Sequence, residues 1–319
     1  MPLYRPETVI YSIVPRASRL LVQESLDTFH ERQGEQSLLQ GDGVLPATWG
    51  RVMASHTDFH LNGPLQAQYI DGHIYGLQGG ADVYARMSDS GQQDRFGLFF
   101  TYAEAAGNID GFALGKVNLF AGHLTINDTS LGAYWTHTAP KGWYLDAVYM
   151  HSWLIAKPMS ERGIGFRGVG QDDALSLEGG YPIHLSHSWT LEPQAQVIWQ
   201  GLSYDEAKDP FSTIDYHSPS DWTGRIGLRL QDQTHIGSVP ILPYLRVNLW
   251  HAFTGTDQAV FDETSIPSTF GSTSAEFGGG IVAKVSGRFS FWAAGSYLTN
   301  VAGPYRQTFK GNVGVRIRW

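Results

Sequence analysis

Twelve histidines in a chain of 319 residues invite a search for catalysis or metal binding. His56 and His60 stand four apart, a spacing that on a helix would place both imidazoles on one metal-binding face. Their segment, SHTDFH, reads instead as a strand end running into a loop, so the pair diverges. His184 and His187 flank a turn; Asp58 beside His56 and His60, or Asp215 beside His217, offers an Asp/His couple. No GxSxG elbow, HExxH helix or phosphate-cradling glycine loop is present. Cysteine is absent, which excludes thiol catalysis, disulfides and Cys-ligated metal, and suits a chain that crosses an oxidising compartment unfolded. The histidines are therefore expected in loops or a boundary layer, with no cofactor and no metal site.

The elements that carry these residues follow from composition and periodicity. The chain is 42% hydrophobic, 13% aromatic and only 16% charged, enough to bury a large core. Its 37 glycines, 10 tryptophans and 15 tyrosines suit β-structure with many turns. A net charge of -8 and a pI near 5.8 argue against nucleic-acid binding. No run approaches the ~18 apolar residues of a transmembrane helix. Nor does Met1 open a basic-then-apolar signal, so an exported chain is expected to be the mature piece of something longer.

One segment reads as a long helix, about residues 15–33, starting at Pro15 and capped by Gly34. At ~1.5 Å per residue it spans roughly the ~30 Å of a hydrocarbon core. Yet Arg16, Arg19, Gln23, Glu24, Asp27, His30, Glu31 and Arg32 make it too polar to face lipid. From Thr48 onward the period is two. About twelve strands are expected, the first from Thr48 and the rest near residues 70–86, 94–105, 122–138, 141–157, 174–185, 189–203, 221–234, 240–254, 275–286, 288–300 and 307–319.

These strands sort into two faces. Trp222, Ile226 and Leu228 oppose Thr223, Arg225 and Arg229; Leu191, Ala195, Val197 and Trp199 oppose Glu192, Gln194, Gln196 and Gln200. At ten or more residues they are long enough to cross a bilayer at a tilt. Connections alternate between brief turns (139–142, 185–188, 285–288) and extended loops (157–173, 203–221, 255–274). Trp143, Trp153, Trp189, Trp199, Trp222, Tyr244, Trp250 and Trp319 gather toward strand ends, as rings do at a lipid–water boundary. Backbone groups in hydrocarbon need partners, so the sheet must close into a barrel. Gly278, Gly279 and Gly280 mark a place where strands crowd.

Several separated segments carry a family likeness: YRPE (4–7), HERQGEQ (30–36), TWGRVM (48–53), SLEGGYP (176–182), LEPQAQVIWQ (191–200) and an aromatic last residue. In this order they resemble the translocator β-domain of autotransporters, the type V secretion family of Gram-negative bacteria, and within it the pertactin and AIDA-I group. The resemblance implies an all-β transmembrane fold: a closed antiparallel outer-membrane β-barrel of about twelve strands with the N-terminal helix inside its lumen. Residues 1–40 become a linker with the pore-spanning helix and 41–319 the barrel. The helix would present Arg16, Arg19, Glu24, Asp27, Glu31 and Arg32 to a polar wall of Arg51, Glu178, Glu192, Gln194, Gln196, Arg225, Arg229 and Lys284.

The likeness further implies an assembly signal on the last strand, with Asn312, Gly314, Ile317 and Trp319 at its polar, glycine and apolar positions. Expected partners are the barrel assembly machinery and periplasmic chaperones, the chain's own passenger domain, and outer-membrane lipid and lipopolysaccharide, with the barrel monomeric and no nucleic acid bound. The family's self-cleavage uses an asparagine in the helix segment; no Asn precedes Asn62, so scission is expected upstream of Tyr4 if anywhere. Passenger export and anchoring is the function implied, the helix then plugging the pore. A barrel enzyme of protease or lipase type, using the Asp/His couples at its rim, and a general porin are the alternatives.

Overall fold

A computed structural model describes residues 3–39, 41–186 and 188–319, so His187 lies outside the described residues. Two helices, α1 (Pro6–Leu26) and α2 (Phe29–Gln33), and a 3-10 turn (Gln36–Leu38) precede twelve long strands. These are β1 (Gly43–His60), β2 (Gln68–Met87), β3 (Gln93–Ala113), β4 (Lys116–Thr138), β5 (Tyr144–Ser160) and β6 (Gly168–Gly180), then β7 (Trp189–Tyr204), β8 (Asp221–Asp232), β9 (Val239–Ala252), β10 (Thr273–Ala283), β11 (Phe289–Ala302) and β12 (Arg306–Arg318). Each pairs antiparallel with its sequence neighbour. β12 returns to β1 in register from Ala47↔Arg318 to Phe59↔Arg306, which closes the barrel. Closure leaves none of the twelve with a bare edge.

The alternation read from sequence sets the two faces. On β8, Trp222, Ile226 and Leu228 point outward and Thr223, Arg225 and Arg229 are buried inward. On β12, Phe309, Val313 and Val315 point out while Asn312 and Arg316 point in. β9 departs from the expectation for its aromatics. Tyr244 and Trp250 share the inward parity of Arg246 and Asn248 and are buried in the lumen, not in an outer belt.

Strand lengths run from 11 residues in β10 to 23 in β4. At ~3.3 Å per residue and a ~40° tilt, β4 rises roughly 58 Å, over twice a ~25 Å apolar band. Accordingly the outward row of β3 reads Phe96, Leu98, Phe100, Tyr102 and then turns polar at Glu104. The β3–β4 hairpin therefore projects past the band, through segments expected to be loop. The other long connections are also ordered. Strands Ala207–Lys208, Thr213–His217, Thr256–Phe261 and Thr264–Thr269 form a separate four-stranded sheet over one mouth. The supposed loop 157–173 is largely strand, since β5 continues to Ser160 and β6 begins at Gly168.

The helix starts nine residues before the expected Pro15, because Pro6 occupies its first turn and Pro15 sits in the interior. An interior proline removes the N–H that would bond the carbonyl four residues earlier. That carbonyl, Tyr11 O, instead accepts the Tyr216 hydroxyl at 3.1 Å, from the second sheet. The helix also breaks where continuity was expected: Asp27 takes φ 54°, and α2 restarts before Gly34 caps it at φ 86°.

Several lumenal rings cover glycines on neighbouring strands: Trp49 on Gly80, Tyr134 on Gly97, Tyr144 on Gly180 and Trp292 on Gly314. At Gly280 a Cβ would meet the Tyr244 hydroxyl at 2.6 Å, and at Gly278 it would meet Ser296 Cβ at 2.8 Å. At Gly314 it would fall 2.1 Å from the Trp292 ring, whereas at the outward Gly311 the nearest atom is Ala294 O at 3.5 Å. Gly314→Ala is therefore expected to destabilise the barrel by about 1–3 kcal/mol through overpacking, and Gly311→Ala to leave it within about 0.5 kcal/mol. Thermal midpoints of the two variants in detergent check this; equal midpoints would contradict it.

Candidate functional site: the helix-filled lumen

The lumen is not uniformly polar. Val9, Ile10, Ile13, Val14, Leu20, Leu21 and Val22 of α1 join one apolar cluster with Phe99, Ile126, Val148, Met150, Leu154 and Ile198 from β3, β4, β5 and β7. Part of the expected hydrophilic wall is thus an oily cradle, and α1 leans into it. The polar contacts concentrate where the helix breaks and along the opposite wall.

At the break several liberated backbone groups find side chains of the barrel, while Thr28 N–H is met by Asp27 Oδ1. Arg51 Nη2 and Gln78 Nε2 donate to Ser25 O at 2.8 and 2.9 Å. Gln196 Nε2 donates to Asp27 O at 3.0 Å. Phe29 N–H donates to Glu178 Oε2 at 2.8 Å, and Trp292 Nε1–H to Glu31 O at 3.0 Å. Helix ends carry unmade hydrogen bonds, and each one buried without a partner costs about 1–3 kcal/mol. β1, β2, β6, β7 and β11 together supply the caps that the sequence of the helix lacks.

Ion pairs complete the ring. Arg51 meets Asp27 at 2.9 Å, and Lys310 reaches both Asp27 (3.1 Å) and Glu31 (3.2 Å). Arg246 pairs with Glu31 and, at 2.9 Å, with Glu276. Arg32 meets Asp146 at 2.5 Å beneath the Tyr134 ring, and Glu24 accepts from Ser55 Oγ at 2.6 Å. His30 lies 2.7 Å from Glu192, which also takes Gln36 Nε2 at 2.7 Å. Higher up, Arg19 donates to Pro219 O at 2.7 Å and approaches Asp257 at 3.4 Å, while Arg16 sits 4.4 Å over the Phe270 ring. At that mouth Arg5 and the Tyr11 hydroxyl hold Asp209 at 2.8 and 3.1 Å, and Arg162 grips Glu7 through Nε (3.2 Å) and Nη2 (2.5 Å). Burial pushes the Asp209 carboxyl up, but the Phe211 and Ser212 N–H groups and the Arg5 guanidinium outweigh it and hold it below its ordinary range.

Of the wall residues singled out from sequence, Arg51, Glu178, Glu192 and Gln196 touch the helices. Gln194, Arg225 and Arg229 make no hydrogen bond or ion pair with them, among the described residues. Gln194 bridges Glu192 (2.7 Å) and Arg225 (2.9 Å), and Arg225 also binds Glu178, Gln196 and Asn248. Arg229 lies over Tyr244, and Lys284 falls past β10 in a turn. Sequence reading passed over Arg246, Glu276, Gln78, Trp292 and the cluster of Asp82 with Arg95 and Arg316. Their signal was a polar residue at inward parity between apolar outward neighbours, as in Leu245-Arg246-Val247. Of the assembly-signal residues, Asn312 and Gly314 point into the lumen and Trp319 lies exposed with its N–H on Pro46 O at 3.1 Å. Ile317 pairs with Thr48 and Phe289.

The histidine clusters stay apart from this ring. His56 Nε2 and Asp58 Oδ2 are 3.8 Å apart on the outward face of β1, His60 meets the Tyr305 ring, and Asp215 accepts the Tyr216 N–H. His184 contacts Thr190 Oγ1 at 3.1 Å. Among the described residues no group of three or more His, Asp or Glu can hold a metal ion.

A closed twelve-strand barrel filled by its own N-terminal helix defines a translocator class, and comparison with known proteins agrees. Residues 48–296 match the Autotransporter beta-domain family. The Adhesin BmaC autotransporter of Brucella suis is 24% identical over 346 aligned positions, covering 100% of this chain and 10% of that protein. The Pertactin autotransporter of Bordetella bronchiseptica is 26% identical over 311, covering 95% and 32%. The chain thus spans a tenth to a third of these curated relatives. The solved transport unit of AIDA-I from Escherichia coli superposes with TM-score 0.79 at 18% identity, covering 99% of this chain and 100% of that one. The NalP translocator domain from Neisseria meningitidis gives 0.70 at 14%, covering 98% and 99%. The chain belongs to the autotransporter β-domain family, whose β-barrel lies in the outer membrane of Gram-negative bacteria.

Arg51→Met keeps volume but removes the guanidinium from Asp27 and one of the two donors to Ser25 O, leaving Gln78. The expected cost is about 3 kcal/mol, the low end for a broken buried pair because Lys310 still reaches Asp27. Amide exchange of residues 23–30 is then expected to rise about 100-fold; unchanged exchange would show that Arg51 does not hold the break.

Proposed function

We propose that this chain carries a passenger domain, fused upstream, across the outer membrane and then anchors it, with residues 1–40 as tether and plug and 41–319 as the barrel. The observation that carries the reading is the helix itself. A protease, lipase or general porin has no use for a 21-residue rod cradled along the lumen and matched at its break by at least five strands. Leu3 and Tyr4 emerge beside the β3–β4 hairpin, where the Leu114 N–H meets Tyr4 O at 2.8 Å, so an upstream domain would begin at the long-loop mouth. Short turns then face the periplasm and long connections the exterior.

The same reading gives β12 its partner before closure. In the finished barrel both edges of β12 are paired, to β11 and to β1, so a machine reading Asn312, Gly314, Ile317 and Trp319 must do so while an edge is open. Barrel assembly machinery and periplasmic chaperones fit that requirement.

Removing residues 1–34 is expected to raise single-channel conductance in planar bilayers several-fold, because the rod no longer fills the pore; an unchanged conductance would refute the plug. Deleting Trp319 is expected to cut the amount of heat-modifiable barrel in outer membranes at least about 10-fold, a ~1.4 kcal/mol effect. Wild-type levels in that strain would remove the assembly signal.

A further inference from the structure

The oily cradle holds α1 without fixing how far along the pore it sits, because apolar contact has no direction. A regular helix gives the wall little else to read, since each main-chain carbonyl is taken by the N–H four residues on. Pro15 breaks that uniformity at one place inside α1. It leaves Tyr11 O without its helical donor, and this carbonyl takes the Tyr216 hydroxyl at 3.1 Å. Tyr216 comes from the strand Thr213–His217 of the sheet over the mouth, and it is buried.

A second tyrosine stands beside the first. The Tyr204 ring, at the end of β7, lies 5.6 Å from that of Tyr216, and its hydroxyl is 2.7 Å from Ser18 Oγ. Ser18 gives its one proton to Val14 O at 2.7 Å, so Tyr204 is the donor in that pair. Tyr11 and Ser18 are seven residues apart, which puts them on one face of the helix, two turns from each other. Two acceptors on that face thus meet two phenol donors, and all four residues are buried. A slip of one residue would move the helix ~1.5 Å and turn it by about 100°, and a slip of one turn would move it ~5.4 Å. Either displacement carries both acceptors away and leaves two hydroxyls buried without partners, which is unfavourable.

We propose that Tyr204 and Tyr216 are positioning residues that set the axial stop of α1, one reading the Ser18 hydroxyl and the other the carbonyl that Pro15 frees. The break at Asp27 fixes the lower end of the plug, and this pair fixes the upper. Because Tyr216 belongs to the mouth sheet, that sheet settles fully only on a helix resting at the stop. Neither contact involves a passenger, so the register stands or fails apart from the export reading.

Amide exchange of the full chain in detergent, followed by mass spectrometry over residues 9–20 and 213–217, tests the pair. Tyr216→Phe and Tyr204→Phe are each expected to raise exchange over both segments at least about 10-fold, the scale of a buried group left without its partner. Pro15→Ala restores an N–H to Tyr11 O. Adding Tyr216→Phe to Pro15→Ala is therefore expected to change exchange over residues 9–20 by less than about 2-fold, while adding Tyr204→Phe still raises it about 10-fold. A hydroxyl that merely filled space would not be rescued from residue 15. Tyr305→Phe, on the exposed rim, leaves exchange unchanged. Heat-modifiable migration verifies folding, and if Tyr216→Phe misfolds, Tyr204→Phe decides. Unchanged exchange in the Phe variants, or a Tyr216→Phe effect as large in the Pro15→Ala background as without it, would overturn the proposal.

Discussion

The interior is organised by the break in the helix at Asp27. A single continuous rod would present side chains alone to the wall. A broken one also exposes N–H and C=O groups, and these can be buried only if matched. Ser25 O, Asp27 O, Phe29 N and Glu31 O each meet a different wall residue, so the barrel locks the main chain of its plug rather than only its surface. Side-chain ion pairs at Asp27, Glu31 and Arg32 sit within one turn of the same point.

That arrangement divides the lumen by physical role. The apolar cradle of β3, β4, β5 and β7 supplies burial without direction, which lets α1 rest along it at little geometric cost. The polar wall supplies direction. Arg246, Lys310 and Glu276 span the wider gap on the far side with long side chains, so the helix is held off centre. A buried ion pair is weak evidence for stability, since hydrophobic replacements often do as well. Here the pairs specify one axial position for a rod that the oily cradle would let slide.

Sequence periodicity made the barrel legible because inside and outside differ in kind along nearly every strand. β12 and β8 could be assigned face by face, and all twelve strands were located, though β3, β4 and β6 run six to eight residues past an expected end. Tyr244 and Trp250 were misplaced because an aromatic near a strand end is chemically the same in a lipid belt or a lumen, and only parity separates the two. The helix start was missed because Pro15 carries a strong breaking signal whose remedy, the Tyr216 hydroxyl on Tyr11 O, comes from 205 residues beyond Tyr11. Site residues were half legible. Inward polarity could be read, but whether Arg225 meets a helix or another wall residue depends on where the rod leans. The ordered sheet over one mouth was hidden in segments rich in turn residues.

Asp82 and Arg316 join β2 to β12 across the inner face of β1, and Arg316 also donates to Gln33 of α2 at 2.8 Å. The stitch therefore fastens the cylinder's last joint and its stopper with one guanidinium. Sealing and corking become a single cooperative event, and a cylinder that lost its cork would also carry a weaker joint.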